Sequence, residues 1–234
     1  LLLVHCASLG RQAGKRIIWQ DLDDSIQVVR AEDAGGKASQ TRAFCTEEME
    51  RILFSIVFSR YQYLGWDEPV HVFPAADTVR LAPYFRKAFL EAGSGDAVRF
   101  FLTNKQEKFR GLIGRLRLTR GYATVDDGRV LFRFEDVGRI IMDDYDNFDE
   151  LAPARPSVAW KLVPSEGQGH PAKSEGDASS RDLHGLWIAL DRLAAFPAPG
   201  SAEPDTAEAQ ARELLEEEDD AMSDAVMETT DGGT

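Results

Sequence analysis

The run from residue 69 to residue 134 leaves few folds open to this chain. Apolar alternation over residues 69–73 predicts a strand, a 3.6-residue period over 77–92 predicts a helix, and residues 97–103 alternate again. In the helix Leu81, Phe85, Ala88, Phe89 and Ala92 share a face, Arg86, Lys87 and Glu91 lie away from it, and Gly93 stands where a helix ends. Pro83 requires either a kink or a helix that starts just before it. Residues 115–134 then form a hairpin about Asp127-Gly128, because glycine accepts the positive φ of a two-residue turn. Leu116 and Leu118 alternate with Arg115, Arg117 and Thr119, and Val130, Phe132 and Phe134 alternate with Leu131, Arg133 and Glu135. Each strand therefore has an apolar and a polar side, and Gly121 marks a bulge. One-sided alternation implies an antiparallel sheet with one face under helices and the other facing water or a partner. The class is α+β: a mainly antiparallel sheet with two amphipathic helices on one face, a C-terminal helix and a disordered acidic tail.

The flanking segments fit that class. Residues 16–20 and 25–30 read as a hairpin across a polar turn. Thr46 followed by Glu47 and Glu48 starts the first helix, whose apolar face is Met49, Ile52, Leu53, Ile56 and Val57. Residues 158–163 read as a last edge strand, and the globular domain is expected to span residues 15–164. Residues 165–180 have linker composition. Leu183, Leu186, Trp187, Leu190 and Leu193 at helical spacing predict an amphipathic helix over 181–196, although Gly185 weakens it. Residues 197–234 read as a disordered tail.

Charge sits mainly in that tail. The net charge is -13, but residues 203–234 hold 12 acidic side chains against Arg212 alone, so the rest of the chain is near neutral. By contrast, residues 97–139 carry ten Lys or Arg against five acidic residues. Read as regular, the hairpin sets Arg115, Arg117 and Arg133 on one side with Arg99 nearby, a row able to dock carboxylate or phosphate groups. The partner expected there is an anionic ligand or an acidic protein segment, the tail first. No nucleic-acid motif accompanies the arginines.

At the other end, Leu1-Leu2-Leu3-Val4-His5-Cys6-Ala7-Ser8 resembles the signal junction of a bacterial lipoprotein precursor. Over residues 1–10 the resemblance implies export and a lipidated Cys6 holding the protein at a membrane surface. An ordinary secretory signal, or a short buried strand, remains open for residues 1–14, and a cytoplasmic address goes with the last.

Catalytic and cofactor motifs are lacking. Cys45 beside a helix start reads as a small buried apolar residue. The acidic run 143–150 lacks the glycine and terminal glutamate of a calcium loop, and His5, His71, His170 and His184 show no metal-ligand spacing. His71 alternates with Val70 and Val72 and reads as exposed. No metal or cofactor is expected. The sequence thus points to an exported, non-enzymatic binding or structural accessory protein of the bacterial envelope, with a hydrolase of dispersed active site as the alternative.

Overall fold

A computed structural model describes residues 15–32, 42–62, 65–106, 115–141, 159–172 and 182–200. In chain order the elements are β1 (Arg16–Asp21), β2 (Asp24–Arg30), α1 (Thr46–Phe54), β3 (Val57–Gln62), β4 (Gly65–Trp66), β5 (Val70–His71) and α2 (Ala75–Glu91). They continue with β6 (Asp96–Gln106), β7 (Arg115–Asp126), β8 (Arg129–Ile141), β9 (Trp160–Leu162), β10 (Gln168–Gly169), β11 (Gly185–Ala189) and a 3₁₀ helix, Leu190–Ala195. Seven strands form an antiparallel sheet in the order β1-β2-β6-β7-β8-β11-β10. β4 and β5 pair with β3, as does β9, in a smaller antiparallel sheet. The protein is α+β and mainly antiparallel, as its alternation requires.

Both helices bury apolar faces, but α1 ends at Phe54, so Ile56 and Val57, expected on its face, lie beyond it and Val57 opens β3. Met49, Ile52 and Leu53 of α1 and Leu81, Phe85, Ala88 and Phe89 of α2 join one core with Ile26, Val28, Val98, Phe100, Phe132 and Phe134 of the large sheet. Phe85 lies 5.5 Å from Phe100, ring centre to ring centre, within the range where edge and offset contacts add to burial. The cap of α1 is Cys45 rather than Thr46: the Glu48 amide donates to its Sγ and the Cys45 amide donates to the Glu48 carboxylate. Helix α2 runs through Pro83 unbroken. Its ring is on the exposed side, and the carbonyl it leaves without an amide belongs to Val79, which is itself 53% exposed, so water can satisfy it.

Three expectations are corrected. The segment expected as an amphipathic helix is β11 followed by the 3₁₀ helix. β11 pairs with the free edge of β8 and buries Leu186 and Ile188, which alternate as strand residues do. The expected linker is ordered over residues 165–172 and contributes β10 to the large sheet. The last edge strand belongs to the small sheet, where β9 pairs with β3. Residues 1–14, the acidic run 143–150 and the tail from 201 onward lie outside the described residues.

Candidate functional site

The β7–β8 hairpin turns at Asp127 (φ 44°) and Gly128 (φ 71°), both left-handed as a two-residue turn demands. Asp126 pairs with Arg129 and Val125 with Val130, so odd-numbered residues of β7 face even-numbered ones of β8. Arg117 therefore shares its side with Ala123, Val125, Phe132 and Phe134, the side covered by the helices. Arg133 pairs with Tyr122 and, with Arg99 on the other flank of that tyrosine, occupies the opposite side. The expected row is thus split: Arg99 and Arg133 come together, and Arg117 goes elsewhere. Arg115 follows Arg117 in the register with β6, and its side chain lies outside the described residues, as does Cys6.

The Arg99–Arg133 side is internally balanced. Arg99 packs on Phe101 with its guanidinium carbon 4.4 Å from the ring centre, and Arg133 Nε lies 3.9 Å from Asp182. Beside them Arg120, 2% exposed, holds Asp136 at 2.7 Å and Glu135 at 3.2 Å, and Arg139 reaches Asp136 at 3.6 Å. Burial raises the Asp136 carboxyl above its ordinary value, and Arg120 and Arg139 oppose this without reversing it. The tyrosine between them is also pushed up, by burial and then by Glu135. This side is only in part the face open to water or a partner that was expected. Phe101, Leu118 and Arg120 are buried there, and its charges are spent on one another.

Arg117 points instead into a cavity of about 390 Å³ between the small sheet, the start of α2 and the ends of β6, β7 and β8. Arg60 of β3 enters from the facing wall and lies over the Phe58 ring at 4.9 Å. The two guanidiniums converge on Gly138, whose φ of 57° is left-handed. A β-carbon at Gly138 would lie 2.5 Å from Arg60 Nη2 and 3.8 Å from Arg117 Nη1, so these nitrogens are no more than about 6 Å apart. Burial first, and then the like charge of Arg117, lowers the proton affinity of Arg60, with Asp67 acting the other way. Among the described residues neither arginine makes an ion pair, and Arg117 Nε is buried without a hydrogen-bond partner.

The third arginine of the cavity is differently placed. Arg80 is held at 3.2 Å by both Asp24 and Asp77 and is thereby neutralised. Thr103 donates its hydroxyl to Asp24, and Thr119 accepts from the Gly138 amide. His71 is not the exposed strand residue expected: its Nδ1 is 2.6 Å from the Phe54 carbonyl and its ring stacks on Phe54 at 4.0 Å. A carbonyl can only accept, so Nδ1 carries the proton and Nε2 is the acceptor of the neutral ring.

The remaining candidates hold no site. Cys45 is exposed rather than buried as expected; the Glu48 amide pulls its thiol pKa down, but partial desolvation and the carboxylates of Glu47 and Glu48 outweigh it and the thiol ends above its usual value. No group of three His, Cys, Asp or Glu side chains placed to hold a metal occurs among the described residues. Arg60 and Arg80 escaped the reading of the sequence. Arg60 is the one arginine of β3 and Arg80 lies on α2 apart from the Arg86-Lys87 pair, among neighbours patterned for the core, and the cavity they line draws on several separate elements.

No protein-family model matches the chain, and comparison with characterised proteins and with solved structures likewise finds no significant match.

Proposed function

We propose that this chain is a non-catalytic binding protein whose ligand is a small anion held between Arg60 and Arg117. What carries the reading is the pairing of two like charges in a concave site with no acid among the described residues bridging them. Like charges that close repel, and part of their hydration has been given up, so the arrangement costs free energy in the empty protein. An anion seated between them reverses the sign of that term and satisfies the buried Nε. Arginines suit such a role because they stay charged and offer several donors in a planar fork. A cavity of this size fits a small molecule, whereas a polynucleotide needs an extended basic track.

The likeness of residues 1–10 to a lipoprotein junction supports placing this activity at the bacterial envelope, exported and lipid-anchored through Cys6. No helix among the described residues is long and apolar enough to cross a membrane. The alternative reading is a hydrolase using His71, which lines the same cavity with Nε2 as its acceptor. The available hydroxyls weaken it, since Thr103 and Thr119 are both engaged.

Thermal unfolding at constant ionic strength tests the binding reading. Acetate, hexanoate or phosphate in place of chloride should raise the midpoint of the natural protein and leave Arg60→Met and Arg117→Met unmoved. No anion effect in the natural protein would refute it, and turnover of an ester that His71→Gln abolishes would replace it with the hydrolase. For the address, Cys6→Ala should release the protein from the membrane fraction of an expressing bacterium. Unchanged fractionation would refute the anchor.

A further inference from the structure

The cavity also says what kind of anion it takes. Resting on the reading that Arg60 and Arg117 bind an anion, we infer that the ligand is a monoanionic amphiphile: a carboxylate on a short apolar body. Two observations carry this. The described lining residues include Arg60, Arg80 and Arg117, with Asp67, Glu68 and Asp77 on the same walls. Arg80 is already committed to two carboxylates. Asp67 offsets part of the Arg60 charge, so the Arg60–Arg117 pair keeps about one uncompensated positive charge; a single negative charge matches it, and a dianion beside Asp67 and Glu68 would exceed it. Asp67 already acts on Arg60, which sets the limit on added charge.

The second observation is the wall beyond the arginines. Phe58, Val70, Val72, Leu102 and Val137 line the cavity. Four of these side chains are buried, and Val70 is the exception at 46% exposure, at the rim. A bare inorganic anion fills the charged end and leaves the rest of the cavity, with Val70 at its rim, to water. An aliphatic chain attached to a carboxylate fills that space, and each methylene taken out of water strengthens binding about fourfold. The charged end then fixes orientation, with the carboxylate at Gly138 and the chain along β5 and β6.

The test is calorimetric titration of the natural protein with acetate, butyrate, hexanoate, hexanol and inorganic phosphate at fixed pH and ionic strength. Binding should tighten along the acetate, butyrate, hexanoate series by about fourfold per methylene, and hexanoate should bind at least about tenfold more tightly than hexanol or phosphate. Arg117→Met should bring hexanoate down to the level of hexanol. Val70→Asn, at a rim position that tolerates a polar side chain, should weaken hexanoate and leave acetate unchanged. Phosphate binding as tightly as hexanoate, or carboxylates binding with no dependence on chain length, overturns the amphiphile while leaving the anion site standing. Binding by neither class, or hexanol equal to hexanoate, overturns both.

Discussion

Replacing Arg117 by methionine should stabilise the empty protein and destroy its response to anions. The stem keeps its length and apolar character, while the charge and the buried Nε that lacks a partner both disappear. Two unit charges about 6 Å apart repel by about 3 kcal/mol at an effective dielectric constant of ~20. Water reaches both side chains, which are only partly buried, so the part surviving screening is roughly 1 kcal/mol. For a chain of this size that is a rise of about 2–4 °C in the unfolding midpoint. Urea titration monitored by tryptophan fluorescence would measure it, at ~0.02 M and again at ~1 M salt. Salt shortens the screening length from ~20 Å to about 3 Å and should erase most of the difference between variant and natural protein. If Arg117→Met is instead destabilised at low salt, or gains the same amount at both salt concentrations, the guanidinium is part of the scaffold and the argument for an anion site fails. The expected trade of stability against binding is the usual signature of a group retained for function.

Gly121→Ala should be among the most damaging single-methyl changes in the sheet. Its β-carbon would lie 2.2 Å from the Arg133 carbonyl oxygen and 3.0 Å from both Phe100 Cζ and Phe134 Cα, and two of those three atoms are backbone. We expect a loss of about 3 kcal/mol by urea titration, and a loss under about 1 kcal/mol would show that the bulge shifts freely. On the opposite side of the sheet, Arg120→Met and Asp136→Leu should each cost about 2 kcal/mol, because each breaks a buried pair while Glu135 and Arg139 remain as weaker partners for the group left behind. The double variant should cost less than either alone, and strict additivity would mean the pair is not coupled. The Asp136 carboxyl is raised in the folded state, so its contribution is fullest below its usual value near 3.8 and is lost as pH rises through the folded value. Asp136→Asn should flatten that limb of the stability profile.

Much of the architecture could be read because local pattern and tertiary context agree in it. Met49, Ile52 and Leu53, or Leu81, Phe85 and Phe89, recur at a spacing only a helix can bury on one side, and the core sets them all below 4% exposure. Residues 182–196 show the opposite case. In a five-residue strand Leu186 and Ile188 supply the inward positions, while Leu186 with Leu183, Trp187, Leu190 and Leu193 also satisfies a helical period. What decides between them is the open edge of β8, more than forty residues away in the chain, together with Gly185 at the start of the pairing. Local periodicity carries no knowledge of a vacant edge.

The division of the arginines was legible and was misread by treating each strand separately. With Asp127-Gly128 as a two-residue turn, odd positions on one strand must face even positions on the other, so Arg117 and Arg133 cannot share a side. Leucines at 116 and 118 made the arginines look like the polar side, but the core takes Gly121, Ala123 and Val125 from β7, and Leu118 is buried on the other face. The site itself lay beyond any local signal, because it depends on how the hairpin bends. Register slips between Arg120 and Gly121 and again between Leu118 and Arg120, giving β8 two extra residues over the stretch that ends at Gly138. Those irregularities bring the Gly138 amide to the Thr119 hydroxyl and set its bare α-carbon against Arg60. Any side chain at 138 would have to adopt a left-handed backbone and displace the Arg60 guanidinium. The same bend thus places Arg117 opposite Arg60, and the two guanidiniums that make no ion pair among the described residues meet at the end of the β7–β8 hairpin.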